Sequence, residues 1–131
     1  PTVTQPQVVR HVGVHPKNLR TLQRGMRLAV TSPHGTARAL ANIGVSAAGK
    51  TGSAEWQPGM KTHAWFACYA PYEHPRFACV VFVSEAGYGG EVAAPVAGPL
   101  LKAALQRYPQ GCPQAAPPMV PDTAHEPEAK P

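Results

Sequence analysis

The chain has 131 residues, including 16 prolines and 12 glycines, and its formal net charge is +5. It contains no run of 18 or more apolar residues, so no segment predicts a membrane-spanning helix. The first six residues, Pro-Thr-Val-Thr-Gln-Pro, do not resemble a signal peptide, and we expect the chain to be part of a longer protein.

The positive charge is concentrated in the first part of the chain. No Asp or Glu precedes Glu55, whereas seven Lys or Arg residues do. Nucleic-acid surfaces interleave such charges with aromatic or groove-reading side chains, and residues 1–54 contain no aromatic residue. We therefore predict no nucleic-acid partner, and we expect these basic side chains to face solvent or to pair with acidic groups elsewhere.

The spacing of cysteine and histidine predicts no metal site, and no cofactor is expected. Cys68, Cys79 and Cys112 form no Cys-x-x-Cys pair, and the six histidines form no zincin-like pattern. Cys68 and Cys79 can face each other across a hairpin, and in an exported protein they could be joined. Cysteine is also an ordinary small core residue, and we predict free thiols.

The first predicted element is a helix. Residues 1–15 are rich in valine and proline, which favours an extended segment. From Pro16, a favourable first helical residue, apolar side chains recur at spacings of three and four, which predicts an amphipathic helix of about four turns. Its apolar stripe consists of Leu19, Leu22, Met26 and Ala29, and its arginines are expected in solvent. The stretch from Ser32 to Thr36 ends the helix.

Three strands and a second helix follow in the prediction. Residues 62–70 and 77–84 are nearly continuous in apolar residues, which indicates strands covered on both faces. The connection between them is short enough for a hairpin. Another strand precedes them at residues 47–56, and the second helix spans residues 91–108, with Pro95 near its start. The predicted apolar face of that helix consists of Val96, Leu100, Leu101, Ala104, Leu105 and Tyr108.

These elements predict a folded portion, residues 1–108, followed by a tail. Residues 109–131 are rich in proline, alanine and charge, which is typical of a disordered segment. A three-stranded sheet with two helices leaves an edge and apolar surface exposed. We therefore expect polypeptide outside this chain to complete the sheet.

The strand predicted at residues 47–56 has an unusual composition. Gly49 and Gly52 give it little side-chain volume, which indicates that something lies close against its backbone. Lys50 adds positive charge, while Thr51 and Ser53 add hydroxyl donors. These residue types predict a groove for an anionic ligand with a peptide-like body.

Five segments of the chain resemble class B penicillin-binding proteins and occur at the separations usual in that family. The segments are Gly25-Met26 with Gly35-Thr36-Ala37, Ala48-Gly49-Lys50-Thr51-Gly52-Ser53-Ala54, His63-Ala64-Trp65-Phe66, Tyr69-Ala70-Pro71 and Gly89-Gly90-Glu91-Val92-Ala93-Ala94-Pro95-Val96. Lys-Thr-Gly is the third signature of the penicillin-recognising serine enzymes. The resemblance runs from about Gln7 to about Leu105 and is strongest to the C-terminal part of the transpeptidase domain of the cell-elongation type, penicillin-binding protein 2.

This resemblance implies an α+β fold, namely the C-terminal part of the penicillin-binding and serine β-lactamase-like fold. The three predicted strands are then three of five in an antiparallel sheet flanked by helices. Neither Ser-x-x-Lys nor Ser-x-Asn occurs in the sequence. The nucleophilic serine and the other two strands are therefore implied to lie in a missing N-terminal part.

The resemblance also implies an activity and a site. The activity is peptidoglycan D,D-transpeptidation, in which a serine forms an acyl-enzyme, and which β-lactams inhibit. Lys50 is implied to be catalytic, and the backbone N–H of Ser53 to form part of the oxyanion hole. Lys50, Thr51, Gly52 and Ser53 are implied to bind the carboxylate of a stem peptide or of a β-lactam. The chain alone is expected to be incomplete and inactive.

We expect Trp56, Trp65 and Tyr69 to be packing residues, and Trp56 and Tyr88 are also candidates for the lining of the groove. The implied partners are stem peptides, β-lactams and the missing N-terminal part. The implied location is the outer face of the bacterial cytoplasmic membrane, in the periplasm, through an N-terminal anchor that these residues do not include. Three alternatives remain: a β-lactam sensor or serine β-lactamase of the same fold, a division-type penicillin-binding protein, and a non-catalytic basic binding module.

Overall fold

The computed structural model describes residues 8–110. Its elements are helix α1 (Pro16–Thr31), a short 3-10 helix (Arg38–Leu40), strands β1 (Ala48–Ala54), β2 (His63–Ala70) and β3 (Phe77–Val83), and helix α2 (Ala93–Arg107). All five predicted helices and strands are present in the predicted order, and residues 8–15 form neither helix nor strand. Residues 111–131 of the predicted tail, including Cys112, lie outside the described residues.

Helix α1 begins and ends where the sequence predicts. Pro16 is its first residue, and the His15 side chain accepts a hydrogen bond from the Lys17 N–H at 3.2 Å. The predicted apolar stripe is only partly correct, because Leu19 and Leu22 are exposed and the fully buried residue is Val30. The reason is that α1 packs on β1 and the 3-10 helix through its last turns.

The expectation that the arginines of α1 face solvent is wrong for Arg27. Its guanidinium donates a hydrogen bond to the Ala47 carbonyl oxygen at 2.6 Å and lies 5.5 Å from the ring centroid of Tyr72. Arg27 is therefore half-buried rather than solvent-facing. A guanidinium is suited to this place because it combines several N–H donors with a flat face that stacks on aromatic rings.

The three strands form one antiparallel sheet in the order β1-β2-β3. Phe66 of β2 lies opposite Thr51 and Val81, and it faces the core together with the other buried residues of β2. Helix α2 covers this face. The residues buried from β2 and α2 are Ala64, Phe66, Cys68, Ala70, Ala93, Ala94, Ala97 and Leu101.

The other face of the sheet is not covered within residues 8–110. Trp65, Val80 and Phe82 project from it and are 42%, 64% and 47% exposed. The exposure agrees with the expectation that a three-stranded sheet with two helices leaves apolar surface exposed, because α2 packs on one face only and alternate residues of a strand point to opposite faces. That polypeptide outside this chain covers the second face stays a prediction.

Helix α2 packs through small residues rather than through its largest apolar ones. Val96 and Leu100 are 46% and 52% exposed, whereas the buried residues are Ala93, Ala94, Ala97, Gly98 and Leu101. At Gly98 a methyl group would lie 3.0 Å from the Ile43 side chain. The predicted apolar face is thus wrong for Val96 and Leu100, because small side chains let the helix axis come close to its neighbours.

Cys68 and Cys79 lie directly opposite each other in the β2-β3 register, and both carry free thiols, as predicted. The Cys68 thiol contacts the Cys79 carbonyl oxygen at 3.5 Å. Burial is the main cause that raises the pKa of Cys68 to about 12. Cys68 is therefore a packing residue that stays protonated at neutral pH.

Candidate functional site

Because successive side chains of β1 point to opposite faces of the sheet, the residues of the Lys-Thr-Gly motif do not all lie on the same side. Thr51 and Ser53 lie opposite Phe66 and Ala64 and point to the face that α2 covers. Lys50 and Gly52 point to the opposite face, where Gly52 lies across from Trp65. The four residues predicted to act together thus lie on one strand but on two sides of it.

A cleft of about 520 Å³ opens beside Thr51 and Ser53. One wall is the segment that precedes β1, and the other is the segment between β3 and α2. The lining residues are Gly35, Thr36, Arg38, Ala39, Thr51, Ser53, Tyr88, Gly89, Gly90 and Glu91. The cleft therefore combines three hydroxyl side chains, a guanidinium, a carboxylate and an aromatic ring.

The wall that contains Tyr88 is held by hydrogen bonds to the start of β2. The Gly87 N–H donates to the Thr62 carbonyl oxygen at 2.9 Å, and the Thr62 hydroxyl donates to the Gly87 carbonyl oxygen at 2.6 Å. Gly87 has a φ of 99°, a conformation that favours glycine. These contacts fix the turn that presents Tyr88 to the cleft.

Gly89 brings this wall against β1. Its N–H donates to the Ser53 hydroxyl at 3.4 Å. A Cβ at Gly89 would overlap the carbonyl oxygens of Trp65 and Gly52, so only glycine allows this approach. At Gly49, a Cβ would overlap the ring of Phe66. Gly49, which the sequence predicts to lie against a bound ligand, is therefore required by packing within the chain itself, whereas a Cβ at Gly52 would lie 3.3 Å from the Trp65 Cβ.

The opposite wall is joined to β1 by two hydroxyls. The Thr51 hydroxyl lies 2.9 Å from the Thr36 hydroxyl, at hydrogen-bond distance. A hydrogen bond between two hydroxyls consumes one of their two hydrogens. The pair therefore retains one O–H that can be donated to a ligand in the cleft.

The remaining predicted site residues fall in different places. Tyr88 lines the cleft and is 65% exposed. Trp56 is not part of the cleft lining; it stacks on His63 with ring centroids 5.5 Å apart. Lys50 is exposed, and its ammonium donates to the carbonyl oxygen of Thr51. Lys50 thus lies beside the cleft rather than in it.

His63 has contacts that fit a packing role. Its ring lies between Trp56 and Phe82, and its Nδ1 accepts the Glu85 N–H at 3.0 Å. Glu85 has a φ of 52°, which is unusual for a residue with a side chain. His63 therefore stabilises the turn after β3.

Sequence reasoning missed three residues that line the cleft: Thr36, Arg38 and Glu91. Thr36 and Glu91 occur in segments that were recognised, but neither was assigned a role. Arg38 directly follows Gly35-Thr36-Ala37 and was grouped with the solvent-facing basic residues. The signal in the sequence that could have identified Arg38 is its position directly after the small residues Gly35-Thr36-Ala37.

Within residues 8–110, no group of three His, Cys, Asp or Glu side chains is placed to hold a metal ion. In the same residues, no helix has the length and hydropathy needed to cross a membrane.

Residues 2–102 match the family model for the penicillin binding protein transpeptidase domain. The peptidoglycan D,D-transpeptidase MrdA of Haemophilus influenzae is 36% identical over 104 residues, which is 67% of this chain and 16% of that protein. The chain therefore spans about a sixth of the length of this curated relative.

Two solved structures have a similar fold. Pseudomonas aeruginosa PBP2, in complex with WCK 5153, superimposes with a TM-score of 0.67 at 33% identity, covering 80% of this chain and 23% of that one. Penicillin-binding protein A of Mycobacterium tuberculosis, as a ceftriaxone acyl-enzyme complex, gives a TM-score of 0.61 at 32% identity and covers 71% of this chain and 22% of that one.

Proposed function

Because the chain belongs to the penicillin-binding protein transpeptidase family and forms part of a class B, PBP2-like domain, we propose that it contributes the Lys-Thr-Gly strand to a peptidoglycan D,D-transpeptidase. The observation that carries this proposal is the position of β1. It is an edge strand of the described sheet, and its Thr51 and Ser53 side chains line an open cleft. An edge strand can bind an extended peptide as an additional strand.

The reaction has two steps. A serine oxygen attacks the carbonyl carbon between the two D-alanines of a stem peptide, an ester forms, and the C–N bond breaks as D-alanine leaves with a proton. The amine of a neighbouring stem peptide then attacks the ester, which forms the cross-link and returns the proton to the serine. Since Ser-x-x-Lys is absent from the sequence, the serine is supplied by a separate part of the protein.

Three residues of β1 have roles in this proposal. The Ser53 N–H donates to the carbonyl oxygen as it becomes negative, and one such donor is worth about 3 to 4 kcal/mol in the transition state. The hydroxyls of Thr51 and Ser53 hold the terminal carboxylate of the peptide. Lys50, on the other side of the strand, faces the part that carries the serine and supplies positive charge for proton transfer.

We propose a location on the outer face of the cytoplasmic membrane, stem peptides as substrates, β-lactams as inhibitors, and the elongation type in preference to the division type. The similarity to MrdA and to PBP2 supports this proposal. Tyr88 extends the wall of the substrate cleft, because it lines the cleft next to Ser53.

Intact-mass spectrometry before and after incubation with a penicillin tests the proposal. We expect a serine-bearing polypeptide to gain the mass of the antibiotic and this chain to remain unmodified. A gain of mass on this chain would contradict the assignment of the nucleophile. An acyl-enzyme that hydrolyses within seconds would favour the β-lactamase alternative over the transpeptidase.

Salt-dependent binding of nucleic acid would favour a basic binding module instead. A fluorescently labelled duplex, titrated at low and at physiological salt, distinguishes that alternative. We expect no binding at either salt concentration.

A further inference from the structure

The cleft contains a positive charge that the proposed function has not used. Among the residues that the structure describes in its lining, the cationic side chain is Arg38, and Lys50 lies outside. Resting on the transpeptidase proposal, we infer that Arg38 is the residue that binds the terminal carboxylate of the peptide in this cleft, together with the hydroxyls of Thr36, Thr51 and Ser53.

The Arg38 side chain is exposed and is hydrogen-bonded to its own segment. One guanidinium nitrogen donates to the Pro33 carbonyl oxygen at 3.2 Å. A guanidinium carries five N–H donors in a planar fork, so this bond leaves donors for a ligand. Two parallel N–H groups match the two oxygens of a carboxylate, which an ammonium cannot do.

The hydroxyls in the cleft also have hydrogens to donate. Between Thr36 and Thr51 one O–H remains after their mutual bond. Ser53 accepts the Gly89 N–H, and this leaves the hydrogen of its own hydroxyl free. Donors on the β1 side and a cation on the Arg38 side thus surround the same space, which is the arrangement a carboxylate requires.

Glu91 is the opposing charge in the cleft. It repels a carboxylate, and it lines the same cleft as Arg38. Removing the charge of Arg38 and removing that of Glu91 should therefore change the affinity for an anion in opposite directions. This difference in sign separates an electrostatic role from a general loss of structure.

The test is an NMR titration of the isotopically labelled chain with three probes. These are N-acetyl-D-alanyl-D-alanine, its C-terminal amide, and N-acetyl-L-alanyl-L-alanine. The amide signals of Thr51, Ser53 and Gly89 report binding in the cleft. We expect the acid with D-alanines to bind more tightly than its amide.

Four variants complete the test. Arg38→Gln should weaken binding of the acid about fivefold and leave the amide unchanged, whereas Arg38→Lys should restore part of the loss. Glu91→Gln should tighten binding of the acid about twofold. Arg24→Gln, which removes the same charge from an exposed position of α1, is the matched control and should behave as the parent chain.

Two results would overturn the inference: a preference for the acid over the amide that persists in Arg38→Gln, or no such preference in the parent chain. A different result would contradict the transpeptidase proposal alone. If the D- and L-peptides bind equally and Arg38→Gln weakens both, the carboxylate site stands and the assignment of the D-Ala-D-Ala substrate does not.

Discussion

The hydroxyl of Thr51 lies 2.9 Å from the hydroxyl of Thr36 and joins β1 to the segment that follows α1. This contact joins β1 to the wall of the cleft that contains Arg38, and both proposals depend on that cleft. It also gives a direct test of the geometry, because valine has nearly the shape of threonine and lacks the hydroxyl.

We predict that Thr36→Val and Thr51→Val each lower the free energy of unfolding by about 1 kcal/mol, the typical net value of a hydrogen bond. The double variant should cost less than the sum of the two, because the second change removes a group that has already lost its partner. Urea unfolding of the four proteins measures this coupling. Strictly additive effects would contradict the hydrogen bond.

Arg27 should contribute to stability although it belongs to a basic, mostly exposed helix. We predict that Arg27→Gln lowers the free energy of unfolding by about 1 to 2 kcal/mol, because the Ala47 carbonyl oxygen loses its donor and Tyr72 loses its cation. The control is again Arg24→Gln, which should change stability by less than about 0.5 kcal/mol. Equal effects of the two variants would exclude the predicted role of Arg27.

Replacing glycine by alanine should lower the free energy of unfolding at one position and raise it at another. Gly89→Ala should destabilise by about 2 kcal/mol or more, because its Cβ would overlap backbone oxygens of β1 and β2. Gly25 lies within α1 and nothing is within 4 Å of its Cβ position. Gly25→Ala should therefore stabilise by about 0.5 to 1 kcal/mol. Thermal unfolding of both variants checks the two signs.

Glu73 should titrate at lower pH than an ordinary glutamate. The hydrogen bond from the Ser46 hydroxyl is the main cause that lowers its pKa from the ordinary value of 4.5. Because the folded-state pKa is the lower one, this contribution to stability is present above the ordinary pKa and is lost as the pH falls through the folded-state value.

A carbon-13 NMR titration of the Glu73 carboxyl measures this shift. In Ser46→Ala, the pKa of Glu73 should move back towards its ordinary value. An unchanged titration in that variant would show that the main cause is another one, namely the backbone hydrogen bond at Glu73 itself or the charges of Arg27 and His74, which also lower the pKa.

Cys68 should react very slowly with alkylating reagents in the folded chain. Its thiol is buried, and its pKa of about 12 leaves almost no thiolate at pH 8. In a Cys112→Ser variant, iodoacetamide at pH 8 should modify Cys79 in the folded chain and should modify Cys68 only after denaturation. Rapid modification of Cys68 in the folded chain, measured by peptide mass mapping, would contradict its place in the core.

The order of the helices and strands, and their bounds to within two residues, could be predicted from the sequence. Local chemistry is enough for this: Pro16 favours a helix start, the residues from Ser32 to Thr36 end the helix, and runs of apolar residues mark β2 and β3. The sequence also supported membership of the family, because the Lys-Thr-Gly motif and four further segments occur in a fixed order. Local signals of this kind do not depend on how the elements pack.

The sequence did not predict which side chains meet, because this depends on how the elements pack. Whether Thr51 or Lys50 faces the cleft depends on the pairing of β1 with β2, and the proximity of Arg38 and Glu91 depends on how two distant segments pack against β1. The same holds for packing. Hydrophobicity predicted Val96 and Leu100 as the face of α2, but the helix approaches its neighbours closely and buries Ala93, Ala97 and Gly98 instead, with Gly98 next to Ile43. Which residues a helix buries depends on side-chain volumes and on the distance between the elements. The periodicity of apolar residues along the chain contains no information on either.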